Sequence, residues 1–108
     1  MKMIVSIINR DDLGRLTDAL MRHGYRATTI GTTGGFLRQG NATLLVGTED
    51  EKVDDALEVI HSNCRTRTEY VYPPPAFVGL EEYMPSPVEV QVGGAVIFVL
   101  NIDRMERY

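Results

Sequence analysis

Met3-Ile4-Val5-Ser6-Ile7-Ile8 is a continuous apolar run broken only by Ser6. It is short and rich in β-branched residues, which predicts a central strand covered on both faces. Moving outward, Asp11 to His23 carries Leu13, Leu16 and Leu20 at steps of three and four. Two aspartates open that segment and Gly24 can supply a left-handed stop, so it predicts an amphipathic helix. Tyr25 to Ile30 then reads as a second strand, with Arg26 and Thr28 on one face by alternation. Ala42 to Val46 predicts a third strand. Asp50 to Cys64 predicts a second helix, with Val53, Ala56, Leu57, Ile60 and Cys64 on one stripe.

After Cys64 regularity stops for about twenty residues, a length of irregular chain that is uncommon without a function. Val88, Val90 and Val92 then alternate with Glu89 and Gln91, and Ala95 to Leu100 is another apolar run. Gly93-Gly94 between them predicts a two-residue hairpin turn and antiparallel pairing of its flanks. Two βαβ-like halves predict an α+β fold, a ferredoxin-like βαββαβ sandwich with an extra hairpin strand. Both helices would cover one face of the sheet. The apolar strands at 3–8 and 95–100 predict that another copy of the chain buries the other face.

A chain of 108 residues is the size of one domain, and its 44% hydrophobic content can supply a core. Fifteen acidic against eleven basic residues give a net charge of -4, which disfavours a nucleic acid or an anionic membrane as the main partner. Cys64 has no second cysteine to pair with, and no apolar run reaches the ~18 residues of a membrane span. The expectation is a cytoplasmic protein without membrane insertion.

Gly31 to Gly40 holds four glycines, two threonines, Phe36-Leu37 and Arg38, a mixture that no core element needs. Gly34 and Gly35 permit positive φ and close backbone approach, so that amide groups can face phosphate oxygens. Arg26 and Arg38 flank the segment and offer charge-assisted bonds to phosphate. Phe36 offers a stacking surface for a base, worth about 1–3 kcal/mol in single-strand binders, and Leu37 can close the other side of the ring. This chemistry suits an anionic ligand of nucleotide size, while an ordinary glycine-rich turn also accounts for it. Gly35 to Gly40 has the glycine spacing of a Walker loop, but Asn41-Ala42 follows where Lys and Ser or Thr are required. The Gly-x-Gly-x-x-Gly fingerprint is missing too.

Tyr25-Arg26-Ala27-Thr28, Thr32-Thr33-Gly34-Gly35-Phe36-Leu37-Arg38, Gly40-Asn41 and Val88 through Ala95 resemble the signature blocks of the PII-like cyclic di-AMP receptors. They occur in order and at similar spacing over nearly the whole chain. The resemblance implies a homotrimer of single PII-like domains spanning residues 1–108, with a short T-loop at about 31–41 and an enlarged B-loop at about 65–94. It implies cyclic di-AMP as the ligand at three intersubunit clefts, no catalysis and no cofactor. Carried over by position, Arg26 and Thr28 would engage phosphate or ribose, Phe36 and Leu37 adenine, and Asn41 the ligand by a hydrogen bond, with Ala27 also among the ligand-binding residues. Gly35 and Gly47 would allow backbone approach, and Gly94 and Phe98 would complete the pocket from a neighbouring subunit. Gly24 departs from the family, which often has a polar Asn there, and so does the Arg107-Tyr108 tail.

His23 and His61 lack the Cys, Asp and His neighbours of a metal site. Cys64 continues the apolar stripe of its helix and reads as structural. Asp54-Asp55 and Glu81-Glu82 read as solvated surface, not as an acid-base pair. Tyr70, Tyr72, Phe77, Tyr83 and the prolines form a candidate surface for an unidentified downstream protein, or a loop folded over the pocket rim. The competing class is a small ferredoxin-like trimeric enzyme or a metal-tolerance protein using the same cleft. No compact set of acid, base, nucleophile or metal ligands near the glycine segment favours it.

Overall fold

The computed structural model describes residues 1–31, 40–71 and 87–108. Strand β1 (Lys2–Asn9) leads through a tight 3-10 turn at Arg10–Asp12 into helix α1 (Leu13–Arg22). Strands β2 (Ala27–Gly31) and β3 (Asn41–Thr48) follow, then a second 3-10 turn at Asp50–Lys52 and helix α2 (Val53–Asn63). Strands β4 (Arg67–Val71), β5 (Val88–Val92) and β6 (Ala95–Asn101) complete the described elements. The architecture is α+β, with two antiparallel sheets: four strands in the order β2-β3-β1-β6, and the β4-β5 pair.

Helix α1 stops as its sequence predicts. Gly24 has φ +86°, the Gly24 N–H donates to Met21 O and the Tyr25 N–H to Leu20 O at 2.9 Å, the paired bonds of a Schellman cap. At its entry, Asn9 accepts from the Asp11 N–H at 2.9 Å and so caps the 3-10 turn.

Alternation along the strands separates two environments. Ile4 and Ile8 of β1, with Ala42, Leu44 and Val46 of β3, are buried against Leu16, Ala19 and Leu20 of α1 and Ala56, Val59 and Ile60 of α2. Both helices therefore lie on one face of the main sheet, and Cys64 extends the α2 stripe into the same core. The opposite face carries Met3, Val5, Ile7, Leu45, Val96, Phe98 and Leu100, none of them fully buried.

Two expectations are corrected. Gly93-Gly94 does not turn a hairpin: β5 pairs with β4, whereas β6 pairs antiparallel with β1. The two glycines, with φ +86° and +84°, instead carry the chain out of the ribbon and into the edge of the main sheet. The stretch after Cys64 is also not irregular throughout, because Arg67–Val71 forms a strand by pairing with β5. The rest of that stretch, and most of the glycine segment including Gly35, Phe36 and Leu37, lies outside the described residues.

Candidate functional site

The open face of the main sheet can be built row by row from the strand register. Thr28 of β2 lies opposite Leu45 of β3, Leu45 opposite Val5 of β1, and Val5 opposite Phe98 of β6. Thr28 and Phe98 thus occupy the two ends of one row, on the two edge strands. With neighbouring strands roughly 4.8 Å apart, they are about 14 Å apart within one chain. One row along, Gly47 pairs with Met3, on the side of the sheet from which β2 begins. Arg26, just before β2, belongs to this corner; it is exposed and makes no ion pair with a described residue.

The other expected residues fall elsewhere. Ala27 packs against the helix-side core, so only its backbone is available to a ligand on the open face. Asn41 starts β3, four residues from Leu45 and hence about 13 Å along the strand from the Thr28 row. It is buried, and its carbonyl oxygen accepts from Arg10 Nη2 at 3.3 Å. Gly94 lies four residues before Phe98, at the entry to β6 and so well along that edge from the Thr28 row. There it lines a cavity of about 530 Å³ with His61, Cys64, Arg65, Thr66 and Ile97 beside α2. A Cβ at Gly47 would meet Met1 Cε at 3.8 Å, ordinary contact, so packing within the chain does not demand a glycine there.

The corner at Arg26 is held from behind by Tyr25. Its ring is buried and its hydroxyl donates to Asp55 Oδ2 at 2.6 Å, with the Lys52 carbonyl at 3.2 Å. Burial, reinforced by the Asp55 carboxylate, pushes the phenol up to about 12. His23 Nδ1 approaches the same carboxylate at 3.9 Å. Cys64 is buried, and its thiol is pushed up to about 11 by burial and then by the Asp12 carboxylate, which disfavours the nucleophilic thiolate. Among the described residues there is no group of His, Cys, Asp or Glu that could hold a metal ion. No helix among them is long and apolar enough to cross a membrane.

Two structural clusters escape sequence reasoning. Arg10 braces the end of the glycine segment: its N–H donates to Gly40 O at 2.9 Å and its guanidinium reaches Asn41 O. The second cluster centres on Asp12, which is fully buried and paired with both Arg15 and Arg67. In sequence, Asp12 shows only as an acidic residue at a helix start, and its second arginine is 55 positions away.

An α+β protein with helices on one face, an open apolar face and candidate ligand residues on both edge strands has relatives among known proteins. The model of the cyclic-di-AMP receptor family matches residues 1–108, and the chain belongs to that family. Its fold is similar to a crystal structure of a functionally unknown protein from Pediococcus pentosaceus. The two are 37% identical with a TM-score of 0.76, over 99% of this chain and 96% of that one.

Proposed function

We propose that this protein is a non-enzymatic cyclic di-AMP receptor that binds the dinucleotide in clefts between the subunits of a homotrimer. On binding it reorders its loops and so regulates a partner protein. The observation that carries the ligand assignment is the match of the receptor family to the whole chain. The sheet order β2-β3-β1-β6, antiparallel throughout and with both helices on one face, supports a ferredoxin-like protomer of PII-like type into which the β4-β5 ribbon is inserted. In that reading the short T-loop occupies about residues 31–41 and the enlarged B-loop about residues 65–94.

The edge placement of the candidate residues supports a site shared between chains. Arg26 and Thr28 lie at one edge of the sheet and Phe98 at the other, so the β2 edge of one subunit against the β6 edge of the next brings them together at a single cleft. Arg26, Thr28 and Asn41 supply polar contacts, Phe36, Leu37 and Phe98 apolar ones, and Gly35, Gly47 and Gly94 room for the backbone to approach.

Titration calorimetry with cyclic di-AMP, cyclic di-GMP and ATP tests the assignment. Saturable heat with the first ligand is expected, and traces without saturation would overturn the reading. Arg26→Ala removes a charged hydrogen bond and is expected to weaken binding by roughly 1.5–3 kcal/mol. Unchanged affinity would remove Arg26 from the site.

A further inference from the structure

The β4-β5 ribbon carries exposed apolar side chains away from its root and is tightly held at the root. Toward the far end, Tyr70, Val71 and Val88 are 62%, 49% and 53% exposed. At the root, Arg67 Nη1 lies 3.2 Å from Asp12 Oδ1, and Asp12 is fully buried. The same oxygen accepts from Arg15 Nη2 at 2.6 Å, and Arg15 continues to the Asn63 carbonyl at the end of α2 at 2.9 Å. Asp12 Oδ2 is buried and has no hydrogen-bond partner among the described residues. One carboxylate therefore joins the start of α1, the end of α2 and the first residue of the ribbon.

The returning strand is in contact with the same point. A Cβ at Gly93 would stand 2.4 Å from Arg65 O and 2.8 Å from Arg67 Nη1, and one at Gly94 would stand 2.9 Å from Thr66 Oγ1. Entry and exit of the ribbon are thus packed backbone to backbone, and the exit runs directly into β6, with Phe98 four residues beyond Gly94. An isolated two-stranded ribbon is marginally stable, so its order depends on how its root is attached.

We infer that the Asp12–Arg67 pair is a pin that couples the ribbon to the sheet edge, so that ligand bound against β6 orders the ribbon only while the pin is intact. The ligand part of this inference rests on the receptor reading above. A ligand shifts the ribbon only through contacts that differ between its ordered and opened states. The pin supplies that difference by making Gly93-Gly94, the start of β6 and the ribbon root one unit.

Hydrogen exchange read by mass spectrometry over residues 67–71 and 88–92, with and without cyclic di-AMP, tests the pin. The comparison sets the wild-type chain against Arg67→Met, Asp12→Asn and the charge-retaining Arg67→Lys. Without ligand, Arg67→Met and Asp12→Asn are expected to exchange at least about tenfold faster than wild type in these segments, with Arg67→Lys between. With ligand, wild type is expected to gain protection there. Arg67→Met should gain none, and its affinity should fall by no more than the factor of protection that wild type gains, because ordering and binding are reciprocally linked. Ligand-free exchange unchanged in both Arg67→Met and Asp12→Asn would overturn the pin, and ligand-induced protection surviving in Arg67→Met would overturn the coupling. If wild type fails to bind cyclic di-AMP the receptor reading falls, and the ligand-free comparison still decides whether the pin exists.

Discussion

Tyr25 shows how one side chain fixes a corner on which a binding strand depends. Its N–H completes the α1 cap and its hydroxyl ties the start of β2 to the start of α2. The phenol titrates near 10 in the unfolded chain and at about 12 in the folded one. Between those values the folded state holds a proton that the unfolded state has released, so stability is full below pH 10 and falls as pH rises toward 12. Denaturant midpoints measured across this alkaline range should decline in wild type and decline less in Tyr25→Phe, which keeps the buried ring and lacks the titrating group. Parallel declines would show that Tyr25 does not carry the effect. Tyr25 was legible in sequence only as part of a strand. Its actual place, in the corner before β2, follows from the glycine cap that precedes it and from Asp55, thirty residues on.

At the scale of elements, the sequence is most readable where one periodicity governs a whole segment. The stripes Leu13, Leu16, Leu20 and Ala56, Ile60, Cys64 each name the buried face of a helix, because the 3.6-residue period is satisfied by the element alone. Pairing partners are not written locally. Val88–Val92, Gly93-Gly94 and Ala95–Asn101 match a hairpin as well as a crossing between sheets, and the choice is made by Arg67–Val71 and β1, both distant in sequence. In Arg67-Thr68-Glu69-Tyr70-Val71 three residues favour a strand, but the segment is too short to name its partner, which is β5. The crossing places a strict demand on Gly93, where positive φ coincides with the approach of Arg65 O. Gly93→Ala is expected to cost roughly 1–3 kcal/mol from backbone conformation, with further loss from the clash. A thermal melt should show the loss, and a midpoint equal to wild type would mean that the ribbon root moves to admit a methyl group.

For the whole molecule, the open sheet face is the feature that the chain alone leaves unresolved. Met3, Val5, Ile7, Leu45, Val96, Phe98 and Leu100 form a contiguous apolar surface on the side away from both helices. Apolar rows of this kind were legible in advance in the run 3–8, whose opposite-facing residues are as hydrophobic as those in the core. The candidate site was legible only in pieces: residue types pointed to a nucleotide, but the division of Thr28 and Phe98 between opposite edges depends on β6 pairing with β1. In the proposed trimer the apolar faces cover one another and the edges meet at the ligand clefts, so assembly and binding share one surface. Val5 is the residue to change, since it lies on a central strand between the two ends of the Thr28–Phe98 row. Val5→Glu leaves the helix-side core intact and, in a lone subunit, puts its carboxylate in water. In an assembled face it buries a charge without a partner, a penalty of several kcal/mol per ion that association has to overcome. Light scattering at micromolar concentration should give three chain masses for wild type and one for Val5→Glu. The variant should retain wild-type helical circular dichroism and lose cyclic di-AMP binding with the trimer. A monomeric wild type would remove the trimer, and tight binding by a monomeric variant would place the ligand within one chain.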